Sequence, residues 1–347
     1  MTMKREVSDL GTHEGAAVQR YTLTNESGVS VSVLNYGATL ASVVTPDAEG
    51  RPGEITLTLP DLESYEINDA YLGATIGRCA NRIAKGIFEL DGETYSLAVN
   101  NGPNHLHGGI SGFDKRVWSG ESGEGPEGAH VVFTRTSENG EEGYPGRLHV
   151  QVTYTLTVSN ELIIDYIAET DRRTPVNLTN HTYWNLDGPG GTTVLDHELR
   201  LHCSRYIPVD ETLIPTGEMM DVSGTAMDFT SRKRIGSEME EVPGGYDHCF
   251  VVDPSSDNLA PVAVLYAPAS GRQMHVFSTM PGVQFYTGNF LDGKNVGPDG
   301  VAYDKHAGMC LETEYYPDSI NQPSFPSVVL DPGEQYRQRT LHRFLSE

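Results

Sequence analysis

The sequence predicts an all-β fold, a large antiparallel β-sandwich with very little helix. Short runs rich in β-branched and aromatic residues recur along the chain with turn signals between them, and 37 Gly and 20 Pro break most stretches in which a helix could run. No strand–helix–strand alternation is present. One face of each alternating strand therefore needs a second sheet to cover it, which a sandwich supplies.

Taken in order, the runs at 21–24 and 29–34 flank Asn25-Glu26-Ser27-Gly28, and those at 87–90 and 95–97 flank Asp91-Gly92-Glu93. Both pairs are predicted hairpins. The Gly- and Glu-rich segment 120–128 is predicted to be an exposed loop. The clearest pair is 148–158 and 162–168, where apolar and polar residues alternate on either side of Ser159-Asn160. Further strands are predicted at 199–203, 262–266, 274–277, 283–286 and 309–313, and a turn or two of helix at 62–67 and 237–241. No repeat, low-complexity tail or interdomain linker interrupts the pattern, so residues 1–347 read as one domain.

Composition narrows the function. Forty-eight acidic residues against 24 basic ones give a formal charge of -24, which repels a phosphate backbone and excludes nucleic acid as an expected partner. The same acidity suits a solvated surface or a salty host. The N-terminal segment lacks the apolar core of a signal peptide, and no stretch approaches the roughly 18 apolar residues of a membrane span. A cytoplasmic protein with no membrane partner is expected. Cys79, Cys203, Cys249 and Cys310 are scattered without CxxC spacing and read as free thiols.

Polar residues cluster in Gly77-Arg78-Cys79-Ala80-Asn81-Arg82-Ile83, Asn104-His105-Leu106-His107-Gly108-Gly109, Asn177 through Leu186, Gly244-Gly245-Tyr246-Asp247-His248, and a late pair holding Gln284 and Glu312. His107, beside two glycines, reads either as a turn residue or as a functional imidazole. His181 sits among hydrogen-bonding groups and an aromatic pair, a crowding that needs a reason. Glu312 follows Met309-Cys310-Leu311, where a carboxylate is either ion-paired or functional. Arg78 and Arg82 read as surface or ion-pair residues or as ligand contacts, Asp247 as a turn former or a ligand contact, and Gln284 as facing solvent or ligand. An extended His105-x-His107 would put two imidazoles on one side, but no further ligand spacing accompanies it, and no Walker lysine or strand-GxGxxG-helix context appears. Neither a metal nor a cofactor is expected.

In this order and at these separations, together with Leu34-Asn35-Tyr36-Gly37-Ala38, Asn139 to Gly146, Asn321-Gln322-Pro323 and Pro332-Gly333-Glu334, the segments resemble the aldose 1-epimerase (galactose mutarotase) family over nearly the whole chain. The resemblance implies a single β-sandwich with the sugar in an open cleft on its concave face. It puts the catalytic acid at His181, the catalytic base at Glu312 and the second active-site histidine at His107. Asn81, Arg82, Asp247 and Gln284 match sugar-binding positions. One departure is visible: Glu314 stands where the family commonly has Gln, and a second carboxyl on the face of Glu312 raises the proton affinity of the first.

The chemistry so implied interconverts the α and β anomers of a free aldohexose such as galactose or glucose. The C1 hydroxyl loses a proton, the ring oxygen gains one, the ring opens to an aldehyde, and rotation about C1–C2 lets it close on the other face. Glutamate, with a reference pKa of about 4.3, is a ready base at neutral pH, and histidine, at about 6.5, a ready acid. His107 and Arg82 would steady charge on the opening sugar, while Trp184 or Tyr286 offers it a flat face or belongs to the core. The rivals are a hexose-6-phosphate 1-epimerase, a glycoside hydrolase pairing Glu312 with Asp247, and a catalytically silent sugar-binding module; a monomer and a homodimer are both compatible with the sequence. The leading reading requires His181 and Glu312 to face each other across a gap that one pyranose fills.

Overall fold

The computed structural model describes residues 3–347. Among the described residues, the strands form one nine-stranded and two five-stranded sheets with four two-stranded pairs beside them, antiparallel throughout. The nine-stranded sheet runs Ser119–Gly125, Gly128–Ser137, Leu148–Leu156, Glu161–Thr170, Tyr336–Ser346, Arg272–Ser278, Ala260–Ala267, Glu198–Leu201 and Lys233–Arg234. One five-stranded sheet is made in chain order from Lys4–His13, Ala16–Thr24, Ser30–Leu34, Thr39–Pro46 and Pro52–Glu54. The other runs Met220–Asp221, Arg205–Tyr206, Asp247–Val251, Gly282–Tyr286 and Cys310–Glu314.

Period-2 alternation drives this arrangement. Leu148, Val150, Val152, Tyr154 and Leu156 point inward from one strand, Leu162, Ile164, Tyr166 and Ala168 from the next, and all are buried. They share a core with Val31, Val33 and Leu40 of the first five-stranded sheet and with Phe250, Val283, Phe285 and Leu311 of the second. Each such side chain contributes about 1.5–3 kcal/mol relative to exposure, so the layers are held mainly by burial.

The predicted turns form for local reasons. Asn25 Oδ1 accepts from the backbone N–H groups of Ser27 and Val29 at 3.1 and 3.0 Å, closing the first hairpin. Ile87–Leu90 and Glu93–Ser96 are joined by Asp91 and Gly92, both at positive φ, and Leu156 pairs with Leu162 around Asn160, also at positive φ. Asp61 caps the helix Leu62–Glu66 through Ser64 N, and a 3-10 turn spans Ile235–Glu241.

Segment 120–128 departs from its predicted loop. Ser119–Gly125 is an edge strand paired with Gly128–Ser137, and two of its glycines leave room for side chains: a Cβ on Gly120 would lie 2.7 Å from the Tyr21 hydroxyl and 2.8 Å from the Phe133 ring, and one on Gly123 2.7 Å from the His130 imidazole. Tyr336–Ser346 lies at the centre of the nine-stranded sheet although its sequence is charged. Its Arg339 pairs with Asp165 at 2.7 Å and Glu127 at 2.8 Å, and Arg343 pairs with Glu161 at 2.8 Å.

Candidate active site

Three strands of the second five-stranded sheet build the floor of the site. Asp247 is opposite Tyr286, Cys249 opposite Gln284, and Gln284 opposite Glu312. Alternation puts Asp247, Cys249, Gln284, Tyr286, Cys310, Glu312 and Glu314 on one face, while Phe250, Val283, Phe285 and Leu311 go to the core on the other. The polar face is buried too: Gln284 is 4%, Glu312 2% and Glu314 0% exposed.

His181 is delivered by the chain between Asn180 and Thr182, where its backbone N–H donates to the Ala74 carbonyl and its carbonyl accepts from Gly73 N, both at 2.9 Å. Gly73 has φ +70°, and its carbonyl in turn accepts from Leu40 N of the first five-stranded sheet at 2.8 Å. A Cβ at Gly73 would lie 2.1 Å from the Leu40 carbonyl oxygen, so only glycine fits this bridge. The imidazole places Nε2 3.7 Å from Glu312 Oε1 and Nδ1 3.5 Å from the Cys310 sulfur. Tyr183 and Tyr71 tilt against its ring, with centroids 5.1 and 5.8 Å away.

His107 comes from the far wall, its ring perpendicular to that of His181 with centroids 5.1 Å apart. Asn81 N–H donates to His107 Nδ1 at 3.2 Å and His107 N–H returns a bond to the Asn81 carbonyl at 3.1 Å. That exchange fixes the tautomer: Nδ1 accepts, so the neutral ring carries its proton on Nε2 and is a donor there. Asn81 Nδ2 donates to Glu314 Oε1 at 3.0 Å, and its Oδ1 accepts from Arg82 N at 2.9 Å. Arg82 donates through Nε to Asn101 Oδ1 at 3.1 Å and places Nη2 4.0 Å from Asp247, which accepts from Gln284 Nε2 at 2.7 Å.

Asn81, Arg82, His107, His181, Asp247, Gln284 and Glu312, all singled out in the sequence, line one cleft of about 650 Å³. Glu312 Oε2 and Gln284 Oε1 are buried with no hydrogen-bond partner among the described residues, which leaves acceptors for a ligand's hydroxyls. One geometric expectation is corrected. His181 and Glu312 do not face each other across the width of a pyranose; at 3.7 Å they stand side by side, a separation suited to two oxygens bonded to the same carbon.

Electrostatics also depart from the reference values. Burial, then Glu314 and Asp247, push Glu312 well above the usual carboxylate range, and burial lowers His181 to about 4 and His107 well below 6.5. Glu314 is raised to about 8 by burial and Asp247, against Asn81 and Arg82. The surroundings thus favour an uncharged acid beside an uncharged imidazole rather than the ready carboxylate and imidazolium expected from reference values.

The remaining expectations sort cleanly. Arg78 is neither a surface residue nor an ion pair: it is 1% exposed and donates to Ser137, Thr174 and the carbonyls of Pro145 and Glu138. Gln284 does not face solvent, and Trp184 is core, packed on His342 and Phe344, whereas Tyr286 lines the cleft. His105 turns away from His107, donating to the Ala98 carbonyl and accepting from the Tyr144 hydroxyl. Donor atoms of His107, His181 and Glu312 lie within 4.8 Å of one another, but the His107 ring spends its one lone pair on Asn81 N–H, so this set does not suit a metal ion. Two contributors were not read from the sequence: Tyr71, whose loop carries no signal, and Cys310, which its place two residues before Glu312 on a strand could have flagged.

Residues 19–343 match the family model described as aldose 1-epimerase. The chain belongs to the aldose 1-epimerase family. Among its relatives, galactose mutarotase of Homo sapiens is 46% identical over 331 residues, 95% of each chain, and aldose 1-epimerase of Escherichia coli (strain K12) is 39% identical over 341 residues, 96% of this chain and 97% of that one. Solved aldose 1-epimerase folds superpose closely: an aldose epimerase homologue from C. elegans has a TM-score of 0.86 at 30% identity, and galactose 1-epimerase from Lactobacillus acidophilus NCFM a TM-score of 0.87 at 29%, each covering 99% of both chains.

Proposed function

We propose that this protein is a cofactor-independent aldose 1-epimerase acting on free hexoses such as galactose and glucose. The observation that carries the reading is the His181–Glu312 pair, 3.7 Å apart on the floor of a polar cleft, in a chain of this family. Glu312 takes the proton of the C1 hydroxyl while His181 Nε2 gives one to the ring oxygen on the same carbon. The C1–O5 bond breaks, C1 becomes an aldehyde, and the ionised pair, which burial disfavours, is discharged to carboxylic acid and neutral imidazole. After rotation about C1–C2 the protons return and the ring closes on the other face. For Nε2 to trade its proton, Nδ1 must keep its own, which makes the Cys310 sulfur its acceptor. His107 Nε2–H and Arg82 donate to negative charge developing on the sugar, and Asp247, Asn81 and Gln284 hold its hydroxyls.

A hexose 6-phosphate is disfavoured because each cation lining the cleft stands beside a carboxylate, which leaves no excess of positive charge there for a phosphate dianion. Arg82 lies beside Asp247, Lys115 beside Asp114 and Lys294 beside Asp292. We read residues 1–347 as one domain, cytoplasmic, monomeric or homodimeric. Polarimetry of freshly dissolved α-galactose and α-glucose tests the activity: an approach to equilibrium much faster than the spontaneous one is expected. Sugar binding by calorimetry without acceleration would instead identify a silent binding module.

A further inference from the structure

We propose that Glu314 is a positioning residue that governs how readily Glu312 takes and gives up the sugar's proton. The inference rests on the mutarotase reading above. Glu314 lies two residues beyond Glu312 on the strand Cys310–Glu314, and so on the same face, but it does not line the cleft. It is 0% exposed, Oε1 is held by Asn81 Nδ2 at 3.0 Å, and Oε2 is buried with no partner among the described residues.

The groups around it define its effect. Glu312 stands on its own strand, Asp247 and the Cys249 thiol belong to the strand Asp247–Val251, Arg82 to the wall that carries Asn81, and the Tyr336 hydroxyl to the nine-stranded sheet. Burial keeps the thiol and the phenol uncharged, since both are pushed well above their usual values. Glu312 and Glu314 thus share one buried strand face with the Asp247 carboxylate and the Arg82 guanidinium at its edge, and two like charges so placed do not readily ionise together. A charge on Glu314 makes Glu312 hold its proton more tightly; a proton on Glu314 frees Glu312 to act as a base. Glutamine at this position would hold Asn81 through the same kind of oxygen acceptor but would carry no charge in any state. The carboxyl therefore adds a second, linked titration to a site that needs only one.

The test is kcat and KM for α-galactose against pH, by polarimetry, in wild type, Glu314→Gln and Glu314→Ala. For Glu314→Gln the acid limb of the kcat profile is expected to move to lower pH by about one unit with KM unchanged. Glu314→Ala should show the same displacement with KM raised several-fold, because Asn81 loses its acceptor. A Glu314→Gln profile that superimposes on wild type overturns the inference and leaves the mutarotase reading standing. A wild type that does not outrun spontaneous mutarotation overturns both. Should Glu314→Gln fail to fold, carboxyl-carbon NMR titration of the wild type decides: two linked steps for Glu312 and Glu314 support the proposal, and independent titrations refute it.

Discussion

The strands Leu148–Leu156 and Cys310–Glu314 obey the same geometry and use it for opposite ends. In the first, buried Leu148, Val150 and Val152 alternate with more exposed His149, Gln151 and Thr153, so one face meets the core and the other meets water. In the second, all five residues are buried, and the face that ought to meet water carries Glu312 and Glu314 instead. Burial of an apolar face, with ladders to both neighbouring strands, stabilises the first strand. The second gives up solvation of two carboxyls, and what it gains is a pair of proton-binding groups whose affinities are far from their values in water.

The sharpest test of this contrast is chemical. Glu312→Gln and His181→Asn should each lower kcat by about 10³- to 10⁴-fold in the polarimetric assay while the thermal midpoint stays at or above that of wild type. A loss of only a few-fold in either would break the assignment of the cleft strand to chemistry. On the other side, Phe133→Ala in Gly128–Ser137, where the ring is 0% exposed, should cost about 3–5 kcal/mol in urea unfolding with kcat unchanged below the transition.

A third experiment separates the two kinds of burial by pH. Glu314 has its proton affinity raised by folding, so its contribution to stability is full below the unfolded value of about 4.5, declines as pH rises, and is lost above about 8. Glu314→Gln should therefore gain in urea midpoint over wild type progressively between about pH 4.5 and pH 8, then run parallel to it. His181, lowered to about 4, works in the other direction: its contribution is full above 6.5 and is lost as pH falls through 4. The smallest effect belongs to the exposed edge strand, where Lys4→Ala removes a solvent-exposed pair with Glu6 and should leave the thermal midpoint unchanged.

How much of this was legible depended on what each segment was buried against. Hairpins closed by Asn25, Asp91-Gly92 and Asn160 could be read because turn residues and alternation are local signals. The strand Tyr336–Ser346 could not, because Arg339 and Arg343 hide its pattern and are satisfied by Asp165 and Glu161 of the neighbouring strand and by Glu127 in a turn. Segment 120–128 looked like a loop because its glycines were taken for freedom when Gly120 provides space for Tyr21 and Phe133 and Gly123 for His130. The seven site residues were identified mainly through their order along the chain, which carries no distances. That His181 and Glu312 stand side by side, and that both have their proton affinities shifted away from their reference values, follows from the sheet register and the depth of the cleft, neither of which a linear sequence displays.

Gly73 joins the first five-stranded sheet to the backbone of His181 through two hydrogen bonds and has no room for a side chain. The aim of the imidazole is thereby inherited from a sheet that supplies none of the seven cleft residues assigned from the sequence. A lesion in that remote sheet would reach the reacting carbon as a misdirected ring, and would be recorded as lost turnover by an enzyme whose substrate contacts were all intact.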